Sequence, residues 1–339
     1  MSVDGGEKQS IMDNFISGLQ PNTAYSLSFV NSSGERFGLR KWSTQSASSL
    51  AIMNTVSVTF GGTLGLNYYV TLGSNIQYAP GAYAEFTIGG VTKRQLFSAA
   101  TTDSSGRTKF TCDINALQMR DNINLKLYNS KGQPYTMYSK KGVDLTESGL
   151  DYSVAAYCNT IISTSTNSKM VNLAKATLDY GAAAQLYFNY NAAGLAVSSD
   201  VTNVNANVFD QYAVSKSGTQ PSGISKVTMS VVFDSDNSLK VYYYYNSGIN
   251  PFRYTYYIDG KEATLKDNGN GYYLEVPNIA SNKLNNAFTF TVKDNKSTFD
   301  IKASVLSYAK SLAKSTDTNK QNLAKSLYLY NQAAAAYAK

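Results

Sequence analysis

Histidine is absent from all 339 residues. That removes Ser-His-Asp and Cys-His catalysis, imidazole metal ligation and histidine acid–base chemistry together. Cysteine is almost absent, at Cys112 and Cys158 alone, and the only tryptophan is Trp42. No apolar run is long enough to span a bilayer. The opening MSVDGGEKQS lacks the basic-then-apolar order of a signal peptide, and the chain stops in a helix-like AAAAYAK, so a fragment of a longer protein is expected. Charged residues are 16% of the chain and hydrophobic ones 43%, a globular composition. The net charge is +7, but only six of the basic residues are arginine (36, 40, 94, 107, 120, 253), and the lysines are dispersed. A nucleic-acid footprint needs a concentrated stripe, so none is expected. What the chain has in abundance is tyrosine, 27 in all.

Residues 16–30, ISGLQPNTAYSLSFV, space Leu19, Pro21, Thr23 and Tyr25 in a way that resembles the loop and strand around the tyrosine corner of fibronectin type III domains. The strands that should precede it are missing. Residues 1–48 are therefore expected to be a β-rich, partial fibronectin-like segment, either the tail of a sandwich domain or a β-ribbon borrowed by the next domain. From 49 to 193 the period changes once. VSVTF, LGLNYYVTL, AYAEFTI, TKFTCDI and INLKLYN alternate with period two. SVAAYCNTII and KMVNLAKATLDYGAAAQLYF then place apolar residues at helical spacing, with Asn167 or Ser168 as a cap for the second helix.

The same order recurs over residues 226–339. SVTF (57–60) is echoed by SVVF (230–233), and EFTIGG (85–90) by YYIDGK (256–261). Ser153, Val154 and Tyr157 match Ser304, Val305 and Tyr308, and NLAK (172–175) returns at 322–325. The first copy is longer, mostly around 100–107 and 131–152. The reading is an α+β chain of two tandem modules, each an antiparallel sheet or sandwich packed against an antiparallel helix pair. Residues 194–225 are expected to be a linker with one short strand at Val208–Val214.

TVSVTFGGTLGLNYYV, INALQMRDNINLKLYNSKG, YSVAAYCNTII and NLAKATLDYGAAAQLYFNYN resemble a repeated module of large cell-surface proteins of gut clostridia. The second copy, with YYIDGKEATL and SLYLYNQAAAAYA, resembles the companion module that follows it there. The resemblance covers residues 50–339. It implies a non-catalytic module on the extracellular or wall-attached surface of a Gram-positive bacterium. In a subset of such proteins it implies superantigen-like binding of host immunoglobulin through heavy-chain variable frameworks.

Four features invite chemistry. Cys112 and Cys158 each lie on an apolar face and read as buried thiols or as a disulfide. DSDNS (234–238) opens like a calcium loop, but the twelfth position is Tyr245, so a hairpin turn is expected. Asp259-Gly260 is a type I′ hairpin signal. The acidic residues show no pairing motif, so neither an enzyme, a metal nor a cofactor is expected. The fourth feature is aromatic. LKVYYYYNSG and FRYTYYI put Tyr242, Tyr244, Arg253 and Tyr257 on the outward parity and Phe252, Tyr254, Tyr256 and Ile258 on the inward one. If the two strands pair as a hairpin, those four outward residues form one partner-binding patch, since Tyr and Arg dominate protein hot spots. The same tyrosines could instead be cross-strand packing pairs. A carbohydrate- or mucin-binding module and a structural spacer are the alternatives, because exposed aromatics also stack on sugars.

Overall fold

The computed structural model describes residues 2–3, 24–43, 49–59, 63–192, 195, 203–233 and 237–339. They form a mixed α+β protein with several antiparallel sheets and few helices. The chain divides into two compact units, one of Met1–Ser57, Asn67–Cys112 and Asn122–Tyr152, the other of Val58–Leu66, Asp113–Asp121 and Ser153–Lys339.

The first unit opens with a three-stranded sheet, β1 (Ser2–Val3), β2 (Ala24–Val30) and β3 (Arg36–Ser43). Leu19, Pro21 and Thr23 lie outside the described residues; Tyr25 is on β2, opposite Trp42. Next come β4 (Ala51–Thr59), β5 (Gly65–Leu72), the one-turn helix α1 (Ser74–Gln77), β6 (Tyr83–Ile88), β7 (Val91–Leu96), β8 (Thr101–Thr102), β9 (Thr108–Asp113), β10 (Ile123–Tyr128), β11 (Met137–Ser139) and β12 (Leu150–Tyr152). They sort into two sheets, ordered β11-β4-β5-β9-β8 and β12-β10-β6-β7. Burial alternates residue by residue along β6, β9 and β10, which is why their pattern was legible. β7 is exposed almost throughout and shows no alternation. The sheets face each other through Tyr68, whose ring lies 5.8 Å from Phe86 and whose hydroxyl donates to the Ile123 carbonyl.

The second unit holds the long helices and two further sheets. Helix α2 (Val154–Thr164) is capped by Ser153 and α3 (Ser168–Phe188) by Asn167, whose side chain accepts from the Met170 amide. The sheets are built from β13 (Ser215–Gly218), β14 (Ile224–Phe233), β15 (Asn237–Tyr245), β16 (Thr255–Ile258), β17 (Lys261–Glu262), β18 (Lys266–Asp267), β19 (Tyr272–Val276), β20 (Phe288–Lys293) and β21 (Thr298–Ala303). Their orders are β14-β15-β19-β18 and β13-β21-β20-β16-β17. Helices α4 (Val305–Ala313) and α5 (Thr318–Tyr337) follow. The β16–β17 turn has Asp259 at φ 48° and Gly260 at φ 76°, the paired positive φ of a type I′ hairpin.

Two expectations are corrected here. Val208–Val214 is not a strand: Ala206–Gln211 is a 3₁₀ turn with Phe209 fully buried against Tyr328. The strand begins at Ser215, where β13 pairs with β21, so this stretch of the expected linker is part of a sheet. Burial also surrounds α3 on every side from Ala176 to Gln185, instead of marking one stripe. The reason is that α3 packs against α5 as well as α2, with the Tyr180 and Tyr330 rings stacked 5.3 Å apart.

The inner faces of the two sheets in this unit meet at Tyr243 and Tyr256, rings 5.6 Å apart. The Tyr256 hydroxyl donates to the Pro251 carbonyl and also pairs with the Tyr245 hydroxyl at 2.7 Å. The Tyr243 hydroxyl, by contrast, is buried without a hydrogen-bond partner. A stranded polar group of this kind costs about 1–3 kcal/mol. Tyr243→Phe should therefore keep or raise stability, by about 1 kcal/mol in urea unfolding; a clear loss would mean the hydroxyl is satisfied.

Candidate tyrosine face

The expected hairpin of LKVYYYYNSG and FRYTYYI does not form. β15 pairs with β14 and β19, whereas β16 pairs with β20 and β17 in the opposite sheet. The chain crosses between sheets because Asn250 caps a 3₁₀ turn that has Pro251 at its start and runs to Arg253. Strand geometry resumes only at Thr255. Tyr242 and Tyr244 consequently share one outer face, Tyr257 lies on the outer face of the other sheet, and Arg253 sits in the turn. The four are not one patch. Phe252, expected inward, is 67% exposed for the same reason, whereas Tyr254 and Tyr256 are buried as expected.

What the β14-β15-β19-β18 sheet does present is a different tyrosine group. Leu239, Val241 and Tyr243 of β15 are fully buried, so Lys240, Tyr242 and Tyr244 point away from the core. Register places Thr228, Tyr242, Tyr273 and Lys266 side by side across four strands. Lys226 faces Tyr244, and Ser230, Lys240 and Glu275 form the next row. The Tyr242 and Tyr273 rings are 5.2 Å apart. Gly271 lies under the group: a Cβ there would touch Tyr242 at 3.5 Å and Tyr244 at 3.7 Å, so the two rings cover bare backbone. Tyr244 is 38% exposed, and Tyr242 and Tyr273 are half-buried.

Charge frames the rings. The Lys240 ammonium lies 4.6 Å from the Tyr273 centroid and the Lys226 ammonium 5.8 Å from that of Tyr244. Glu275 accepts from Lys266 at 2.7 Å and pairs with Lys240 at 3.5 Å. Partial burial works to raise the Glu275 pKa, but the Lys266 hydrogen bond and the Lys240 charge outweigh it and hold the carboxyl below its usual range. The face is thus apolar at its centre and cationic at its rim. Tyr273 was missed in the sequence although a signal was there: in GYYLEV it shares parity with the charged Glu275.

Tyr257, on the other sheet, lies opposite Glu262 with the Lys293 ammonium 4.9 Å over its ring. Arg253 is exposed with its guanidinium 5.6 Å from the buried Tyr254 ring. In the first unit Tyr69 and Tyr83 are half-buried, each beneath an arginine, Arg107 and Arg94. Cys112 and Cys158 are buried thiols, and burial pushes Cys158 up to about 12. Strands β14 and β15 run antiparallel into the DSDNS segment, whose residues 234–236 lie outside the described set. Among the described residues, no three or more Cys, Asp and Glu side chains stand together as a metal site would require. No described helix is long and apolar enough to cross a membrane.

No family model and no curated protein matches the chain. Among solved structures, the chicken CNTN1 FN1-FN3 domains align over 84% of this chain and 79% of theirs, at 10% identity and a TM-score of 0.17. A Ca2+-stabilized adhesin that helps an Antarctic bacterium reach out and bind ice aligns over 83% of this chain and 55% of its own, at 12% identity and a TM-score of 0.16. Scores that low inform neither fold nor function.

Proposed function

We propose that this chain is a non-enzymatic binding fragment of an extracellular bacterial surface protein, and that its partner is a host protein surface. The observation that carries the reading is the outward row of Tyr242, Tyr244 and Tyr273, held rigid by a four-stranded sheet and rimmed by lysines. Tyrosines on fixed backbone offer large contact area at low entropic cost, which is the chemistry of protein recognition. The resemblance to clostridial surface modules makes an immunoglobulin heavy-chain framework the specific partner to try. A framework is flat and constant, as a sheet face requires. We also read the chain as two copies of one module. In support, β4-β5-β9-β8 corresponds in order to β14-β15-β19-β18, and β12-β10-β6-β7 to β21-β20-β16-β17.

The test is binding of the fragment to a panel of purified antibodies of different variable-gene families. A central hot-spot tyrosine is worth about 2 kcal/mol, roughly thirtyfold in affinity. Tyr242→Ala and Tyr244→Ala should each approach that loss with melting close to wild type, while Tyr257→Ala on the opposite sheet should bind normally. Equal losses at all three positions would point away from this face, and a parent fragment that binds no antibody would end the immunoglobulin reading.

A further inference from the structure

The second unit carries a separate groove of about 440 Å³ that owes nothing to the tyrosine row. It arises from a short strand. In the first unit β7 stays paired with β6 along all six residues, from Ile88↔Val91 to Tyr83↔Leu96. Its counterpart β17 pairs with β16 at two positions only, Tyr257↔Glu262 and Ile258↔Lys261. One more hydrogen bond, from the Ala263 amide to the Tyr256 carbonyl, closes the ladder. The chain then leaves this sheet for β18 in the other one, and a gap opens between residues 252–256 and 262–265. Its volume is within the roughly 300–1,000 Å³ of small-ligand sites.

The floor is rigid. Tyr254 and Tyr256 are both buried, Tyr254 stacks on Tyr245 at 5.9 Å, and the Tyr256 hydroxyl is committed to Pro251 and Tyr245. The Tyr254 hydroxyl also turns away, toward Gly223, where a Cβ would collide with it. One wall is Phe252, two-thirds exposed yet fixed: its amide donates to Asn250 Oδ1, and its ring meets Tyr272 edge-on. The polar groups at the mouth are Thr255, Glu262 and Thr264, all exposed.

We propose that this groove binds a short neutral saccharide, with Phe252 as the stacking platform and Glu262 and the two threonines pairing with sugar hydroxyls. Aromatic grooves also bind proline-rich peptides, but such peptides present mainly carbonyl acceptors. Here both floor tyrosines have turned their hydroxyls elsewhere, which leaves Glu262, whose carboxylate accepts and finds no donor on a proline-rich chain, and two threonine hydroxyls that can donate or accept. Sugar hydroxyls donate, so the lining fits a saccharide better. The same carboxylate disfavours sialylated ligands.

The experiment is saturation-transfer NMR on the intact fragment with lactose, N-acetyllactosamine, N-acetylgalactosamine and 3′-sialyllactose, followed by titration of whichever responds. At least one neutral sugar should show transfer, and 3′-sialyllactose should be weaker than lactose. Phe252→Ala should weaken binding tenfold or more, and Glu262→Ala at least severalfold, with thermal melting unchanged. Tyr244→Ala should leave saccharide binding intact, which separates this site from the tyrosine row. Absence of transfer from every neutral sugar, binding indifferent to Phe252→Ala, or preferential binding of a decaproline peptide would overturn the proposal.

Discussion

Tyr180→Ala should be among the most damaging single substitutions in the second unit, costing about 3–5 kcal/mol, as large aromatic-to-alanine changes in cores do. Three things are lost together. The ring is 3% exposed and stacks on Tyr330, which joins α3 to α5. Its hydroxyl donates to Asn237 Oδ1 at 3.1 Å, and Asn237 is itself buried at the start of β15. The cavity would lie where helix packs on helix, a place that cannot close without moving α5. In a domain of this size each kcal/mol shifts the midpoint by about 2–4 °C, so a drop of roughly 10 °C is expected by calorimetry. Tyr180→Phe keeps the stack and should cost about 1 kcal/mol, the worth of the hydrogen bond. A Tyr180→Ala protein that melts within a degree or two of wild type would refute the α3–α5 contact.

Gly181→Leu should cost about 3 kcal/mol, at the top of the usual range for overpacking. Helix propensity alone argues the other way, because leucine in a helix is favoured over glycine by most of a kcal/mol. Packing decides it. A Cβ at Gly181 would sit 2.5 Å from Met119 Sδ and 3.1 Å from Met119 Cβ. Met119 is buried, and its carbonyl is pinned by the Ala155 amide at 2.8 Å, so the turn cannot retreat. The thioether tip can swing, which makes Gly181→Ala the milder variant. Urea midpoints for the alanine and leucine variants should fall in that order below wild type. If leucine stabilises, α3 does not lie this close to the turn.

The strands with one buried face were legible because their alternation is strict, as in β6, β9 and β10. The start of α3 was legible because Asn167, one of the two caps expected there, is in position; Ser153 and Ser304 cap α2 and α4 in the same way. What the pattern could not show is which elements meet. Parity put Tyr242 and Tyr244 on an outer face, and the burial of Leu239, Val241 and Tyr243 leaves these two on the side away from the core. Parity could not reveal that a 3₁₀ turn at Pro251–Arg253 sends the next strand into the opposite sheet, so Tyr257 and Arg253 were grouped with them and Phe252 was turned inward. β7 escaped notice because an exposed edge strand has no buried residues to mark a period. The partnership of α3 and α5 likewise has no local signature; it shows only in the structure, where residues 176–185 are buried on every side.

The strand β13 has a practical consequence for anyone dividing this chain. Composition suggests cutting near residue 226, where the recurring pattern read in the sequence starts again. Such a cut removes Ser215–Gly218 and leaves the amides and carbonyls of β21 without the partner they have along Phe299–Lys302. It also removes Phe209, which fills a fully buried position beside Tyr328 of α5. The truncated piece would carry a newly opened sheet edge and a hydrophobic hole, the two features that most promote self-association during expression. A boundary before Asn203 keeps both but still strips α3, and with it the Tyr180 ring, from α5. A cut has to fall ahead of Ser153 to keep α3 on α5, and what composition paints as a tether is the selvedge of the sheet.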